Sequence, residues 1–132
     1  MSENPTTLPV RPRVVIADNH PAVIRELQAL LESEFDVVGT VSDGCALVAM
    51  VEALRPDVVV SDVVLRILDG VGAAQQIRRH HPAVKVVFVT VLTEPEVREH
   101  AFAAGATAFV SKAAAGDELA PAVREAIARI SQ

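Results

Sequence analysis

Hydrophobic positions along this chain fall into two kinds of pattern. Val14-Val15-Ile16-Ala17, Val58-Val59-Val60, Val86-Val87-Phe88-Val89 and Ala108-Phe109-Val110 are unbroken apolar blocks, rich in β-branched residues. Between them, apolar residues recur at helical spacing, as in Val23, Leu27, Leu30 and Leu31, or Leu119, Val123, Ala126, Ile127 and Ile130. Unbroken blocks bounded by helical stretches are the pattern of parallel strands buried on both faces. The first strand is expected at 13–17, followed by a helix opened by Pro21, where the missing N–H costs nothing. A second strand is expected at 35–41, then a helix carrying Leu47, Val51 and Leu54 and stopped by Pro56. A third strand at 57–61 leads through a loop ending at Asp69-Gly70 into a helix over 71–80, closed by Pro82. A strand at 85–90, a helix over 94–104 ended by Gly105, a strand at 107–110 and a last helix complete the series.

Five strands alternating with five helices predict an α/β fold with a doubly wound parallel sheet. Right-handed crossovers leave few topologies, and the flavodoxin-like order 2-1-3-4-5 is a common one. Residues 1–12 hold three prolines and little periodicity, and read as a flexible leader to a domain over 13–132.

The informative residues stand where the apolar blocks stop. Asp18 follows the first block and Asp62 closes the run Asp57-Val58-Val59-Val60-Ser61. Thr90 ends the block at 86–89, and Lys112 follows Ser111 after the last. In open parallel sheets, ligands gather at the carboxyl ends of the strands. The order 2-1-3-4-5 would set Asp18 beside Asp62, with Thr90 and Lys112 alongside. Two close carboxylates repel each other unless a cation lies between them. Lys112 is one candidate. A hard ion such as Mg²⁺, which suits oxygen ligands, is the other. A carboxylate beside both is suited to accept a phosphoryl group as an aspartyl-phosphate. Plainer roles stay open: Asp18 and Asp62 as caps, Thr90 as a strand-end residue, Lys112 as a solvated loop lysine, Phe109 as a core aromatic. Asp69 reads as a cap or turn residue, His20 as a loop residue, and Glu94 and Glu96 as first-turn acids.

Composition narrows the field. The chain has 132 residues, 51% of them hydrophobic, which suits one domain with a full core. A net charge of −5 argues against non-specific nucleic-acid binding by this domain. No apolar run reaches the ~18 residues of a membrane span. No secretory signal is visible, so a cytoplasmic location is expected. The single Cys45 permits no intrachain disulfide and reads as a small buried residue.

The residues Val14-Val15-Ile16-Ala17-Asp18-Asn19-His20-Pro21, Pro56-Asp57, Asp62, Asp69-Gly70, Val87-Phe88-Val89-Thr90, Ala104-Gly105-Ala106 and Phe109-Val110-Ser111-Lys112 occur in one order and spacing. In them the chain resembles the receiver domain of bacterial response regulators, CheY-like, in the NarL/FixJ (LuxR-type) group, over roughly residues 13–131. The resemblance implies phosphorylation of Asp62 by a histidine kinase in a two-component system. It implies that Asp18, Asn19, Asp62 and the Val64 main-chain carbonyl hold Mg²⁺, and that Lys112 and Thr90 contact the phosphoryl group. Thr90 and Phe109 would form the switch pair. The chain would act as a phosphoacceptor that catalyses only its own phosphorylation and dephosphorylation. Homodimerisation, and transcriptional output through a C-terminal DNA-binding domain absent from this chain, are further implications.

Three positions depart from the family. Asn19 stands where a second acid is usual, so weaker Mg²⁺ binding is expected. Leu65-Arg66 replaces a Met-Pro pair, which is expected to loosen the loop, with Arg66 itself solvated. Val91 replaces a small residue and is expected to narrow access to Asp62. These departures motivate an alternative, a phosphorylation-independent interaction or dimerisation module. A haloacid-dehalogenase-type enzyme would need a second acid where Val64 stands. Cobalamin binding would need glycine at Val23.

Overall fold

The computed structural model describes residues 10–129; Ile130 of the expected last-helix stripe and most of the expected leader lie outside them. Five strands, β1 (Arg13–Ala17), β2 (Asp36–Val41), β3 (Val58–Ser61), β4 (Lys85–Thr90) and β5 (Ala108–Ser111), alternate with five α-helices. The helices are α1 (Pro21–Leu31), α2 (Gly44–Leu54), α3 (Gly70–His80), α4 (Pro95–Ala103) and α5 (Ala115–Ala128). A short 3₁₀ turn, Lys112–Ala114, joins β5 to α5. All strands are parallel and their order is β2-β1-β3-β4-β5. Among the described residues no helix is long and apolar enough to cross a membrane.

Side chains alternate across a strand, and here both faces are covered. Val14 and Ile16 of β1 pack with Leu27 and Leu31 of α1 and Leu119 and Val123 of α5. Val15 and Ala17 point the other way, to Leu47 and Val51 of α2 and Ile77 of α3. This double burial is why the strands read as unbroken apolar blocks. Each fully buried valine or leucine contributes about 1.5–3 kcal/mol from leaving water.

Element ends follow local chemistry. Pro21 opens α1 at its first turn. Asp43 caps α2 by accepting from Ala46 N at 2.6 Å, and Asp69 caps α3 by accepting from Gly72 N at 2.9 Å. The capping of α3 accounts for Asp69 as the sequence suggested. Glu94 is the residue before α4 rather than its first, because Pro95 takes the first-turn position, and Glu96 is the acid of that turn. The chain leaves α2 through Arg55 in the left-handed region, just ahead of Pro56. Cys45 is exposed, contrary to expectation. Gly44, Leu47 and Val51 define the inner side of α2, and Cys45 lies one step round the helix from it.

Gly70 is fixed by a close approach. A Cβ there would stand 2.1 Å from the Asp62 carbonyl oxygen. Its N–H donates to Val63 O at 2.8 Å, so the start of α3 rests directly on the main chain that carries Asp62.

Candidate functional site

The sheet register brings the site together. Ala17 pairs with Ser61 and Thr90 pairs with Ser111. The next residues of β1, β3 and β5 are Asp18, Asp62 and Lys112, so three charges leave the sheet at one edge. Asp18 and Asp62 are held in place by their own main chain: Asp18 N donates to Val41 O at 3.1 Å, and Asp62 N donates to Ala17 O at 3.0 Å.

Lys112 Nζ donates to Asp62 Oδ2 at 2.8 Å and lies 2.9 Å from Asp18 Oδ2. The second approach is an ion contact without hydrogen-bond angles. Asp18 Oδ2 is therefore buried with no hydrogen bond. The other oxygen, Asp18 Oδ1, accepts from His20 N at 2.9 Å and lies 3.1 Å from His20 Nδ1. Asp62 Oδ1 accepts from Val64 N at 3.2 Å. Exposure falls steeply into the site: the side chains of Lys112, Asp62 and Asp18 are 16%, 8% and 0% exposed.

Burial alone would raise the Asp18 pKa. The Lys112 ammonium and the His20 main-chain and ring nitrogens outweigh it and hold the carboxyl below its ordinary value. Burial alone would lower the Lys112 pKa, but the hydrogen bond to Asp62 and the charges of both Asp62 and Asp18 raise it above its ordinary value.

The other predicted site residues are placed as follows. Thr90 is fully buried, and its hydroxyl accepts from Leu92 N at 3.2 Å. Phe109 is partly buried on the side of α4. Its ring centroid is 6.5 Å from that of Phe102, and the Arg98 guanidinium lies 5.1 Å from the Phe102 centroid and 5.7 Å from that of Phe109. Val91 is 70% exposed. Asn19 reaches across to the β3–α3 loop, where its Oδ1 accepts from Arg66 N at 3.2 Å and its Nδ2 faces Val64 O at 3.5 Å. The Arg66 side chain is exposed, as expected.

The loop after β3 is tied through the Arg66 main chain. Arg66 O accepts from Gly44 N at 3.1 Å and from Leu68 N at 2.7 Å, and Arg66 bridges to Asp43. The Arg66 N–H, which a proline would lack, is itself one of the ties. His20 is the residue that sequence reasoning undervalued. The signal available was its place two residues after a strand-end acid, where a tight turn can fold the ring back.

Among the described residues no group of three or more His, Cys, Asp and Glu side chains is placed to hold a metal ion. A hard ion does not require one. Mg²⁺ is commonly held by one or two carboxylates and keeps several waters. The Asp18 and Asp62 carboxylates and the Val64 carbonyl are oxygen donors of the right kind, and Asp18 Oδ2 is a buried acceptor lacking a hydrogen bond.

Comparison with known proteins places this arrangement. Residues 14–124 match the family model of the response regulator receiver domain. The chain is 34% identical over 116 residues to the transcriptional regulatory protein LiaR of Bacillus subtilis, covering 86% of this chain and 55% of LiaR. It thus spans about half the length of the curated relatives it matches. The fold superposes on the receiver domain of the response regulator NarL from Mycobacterium tuberculosis with a TM-score of 0.87 at 28% identity, covering 92% of this chain and 100% of that one. It also superposes on the isolated receiver domain of RcsB from Salmonella enterica, solved with phosphomimetic BeF₃⁻. There the TM-score is 0.79 at 26% identity, with 87% of each chain covered. With two acids and a lysine gathered at the carboxyl edge of a 2-1-3-4-5 sheet, and a family match over most of its length, the chain belongs to the receiver domain family of two-component response regulators.

Proposed function

We propose that Asp62 is the phosphoryl acceptor of this receiver domain and that a histidine kinase is the donor. The observation that carries this reading is the Lys112 ammonium, 2.8 Å from Asp62 and 2.9 Å from Asp18 at the carboxyl edge of the sheet. On transfer, the P–N bond of a phosphohistidine breaks and a P–O bond forms at an Asp62 oxygen, while the electron pair of the broken bond stays on the imidazole. Lys112 follows the charge from the carboxylate to the phosphoryl oxygens. Thr90 exchanges its contact with Leu92 N for one with the phosphoryl group, and Phe109 turns inward behind it. Such a switch is a shift between two populations, biased by the new charge.

Mg²⁺ belongs to the same reading, with Asp18, Asp62, the Val64 carbonyl and the corner occupied by Asn19 as its surroundings. When bound, the ion supplies positive charge that neutralises the transferring group. Residues 13–132 act in this reading as a phosphoacceptor unit in the cytoplasm rather than as a turnover enzyme. LiaR is a transcriptional regulatory protein. By analogy, output here runs through a DNA-binding domain outside this chain and through homodimers.

The test is incubation with a small phosphodonor and Mg²⁺, followed by intact-mass measurement. A gain of one phosphoryl group that Asp62→Ala abolishes is expected. An unmodified wild-type chain, with both small donors and kinase, would falsify the proposal and return the interaction-module reading to first place.

A further inference from the structure

Asn19 stands at the cation's corner of the site, but its amide is already engaged. The two ends of an amide are told apart by their partners. The Arg66 N–H is a donor only, so the atom facing it at 3.2 Å is the amide oxygen. The NH₂ end then faces the Val64 carbonyl at 3.5 Å. That carbonyl is the main-chain oxygen assigned above to the metal. An NH₂ group is electropositive and ligates no cation. Asn19 therefore presents its wrong end to the ion.

We infer that Asn19 is a latch on the β3–α3 loop that competes with the divalent cation and sets the site's affinity for it. The inference rests on the metal reading above. A cation at the Val64 carbonyl would lie beside the electropositive Asn19 Nδ2, which opposes it. Before Asn19 Oδ1 can join the ion, the amide has to turn, and the Arg66 N–H then loses its acceptor. The loop has little freedom to find another, because Arg66 O is already tied to Gly44 N and Leu68 N. An aspartate at position 19 would offer one oxygen to Arg66 N–H and the other to the ion. The amide has one oxygen and serves one of them. Arg66 completes the device, since a proline at that position would have no N–H to give.

The test is Mg²⁺ titration of the full chain by calorimetry, with the Arg66 amide followed by NMR. Arg66→Pro removes the N–H, while Arg66→Gln removes the same charge and keeps it. Arg66→Pro is expected to bind Mg²⁺ about fivefold more tightly than Arg66→Gln, the factor implied by one hydrogen bond of ordinary net strength. The difference should vanish when Asn19→Ala is added to both. In the wild type, Mg²⁺ saturation should speed hydrogen exchange at the Arg66 amide, a reading that requires no variant to fold. Equal affinities for the two Arg66 variants, or an unchanged Arg66 amide at saturation, overturn the latch and leave the metal site standing. Failure of Asn19→Asp to bind Mg²⁺ overturns the metal reading and the latch with it.

Discussion

Lys112 Nζ stands 2.8 Å from Asp62 Oδ2, and the same nitrogen is 2.9 Å from the fully buried Asp18. One ammonium thus offsets two carboxylates that would otherwise repel each other. Lys112→Met keeps most of the side-chain volume and removes the charge. A loss of about 2 kcal/mol in urea unfolding at pH 7 without Mg²⁺ is expected. This is below the ~3–5 kcal/mol of a fully buried pair, because Lys112 retains some contact with water. Added Mg²⁺ should recover part of the loss by restoring positive charge between the carboxylates. An unchanged urea midpoint would show that water already screens the cluster.

The same cluster sets a pH window. Asp18 has a lowered pKa, so its contribution to stability is present above the unfolded value, about 3.9, and is lost as pH falls through the lower folded value. Lys112 has a raised pKa, so its contribution is present below the unfolded value, about 10.4, and is lost as pH rises through the higher folded value. The wild type should therefore hold a plateau between about pH 5 and 9. In Lys112→Met only the His20 contacts still oppose the burial of Asp18, and the loss of stability in acid should shrink. Urea midpoints of both proteins between pH 3 and 11 check this, and parallel curves would contradict it.

The centre of the sheet was legible because β1, β3 and β4 are buried on both faces. Val14 to Ala17 and Val86 to Val89 have no solvent-facing side to interrupt the apolar run. Asp18, Asp62 and Lys112 were legible for the converse reason, since a charge ending such a run has to lie at the edge of the sheet. Contacts set by loop conformation were not. Asn19 meets Arg66 across 47 positions of sequence, and no periodicity encodes that meeting. The approach of His20 Nδ1 to Asp18 depends on a turn that residue types only permit. Asp69-Gly70 reads as a turn, whereas the need for glycine comes from the Asp62 carbonyl lying where a Cβ would go. Cys45 was misplaced because α2 is apolar around most of its circumference, which leaves its inner side poorly marked in the sequence.

Phe109 is held on the α4 side by Arg98, which lies against both its ring and that of Phe102. Cation–π contacts at partly exposed sites are worth about 0.5–1 kcal/mol. Arg98→Ala should therefore raise the inward-turned population of Phe109 by roughly two- to fivefold. The chain has four phenylalanines and neither tryptophan nor tyrosine, so the aromatic NMR spectrum can follow this ring directly. An unmoved Phe109 resonance would show that the backbone of β5, rather than Arg98, sets the ring's orientation.

Ile67 has φ of 68° and is 83% exposed. Leu68 N donates to Arg66 O across it at 2.7 Å, closing a three-residue γ-turn in the loop after Asp62. A β-branched residue is crowded at positive φ, and such strain costs of order 1–3 kcal/mol. Ile67→Gly relieves it, loses little packing and gives the unfolded chain about 0.5–1 kcal/mol of added freedom. The net expectation is a gain of about 0.5–1 kcal/mol, read as a higher thermal midpoint. Ile67→Ala keeps a Cβ and should fall between the two. If glycine instead lowered the midpoint, the exposed isoleucine would be making contacts that outweigh its backbone strain.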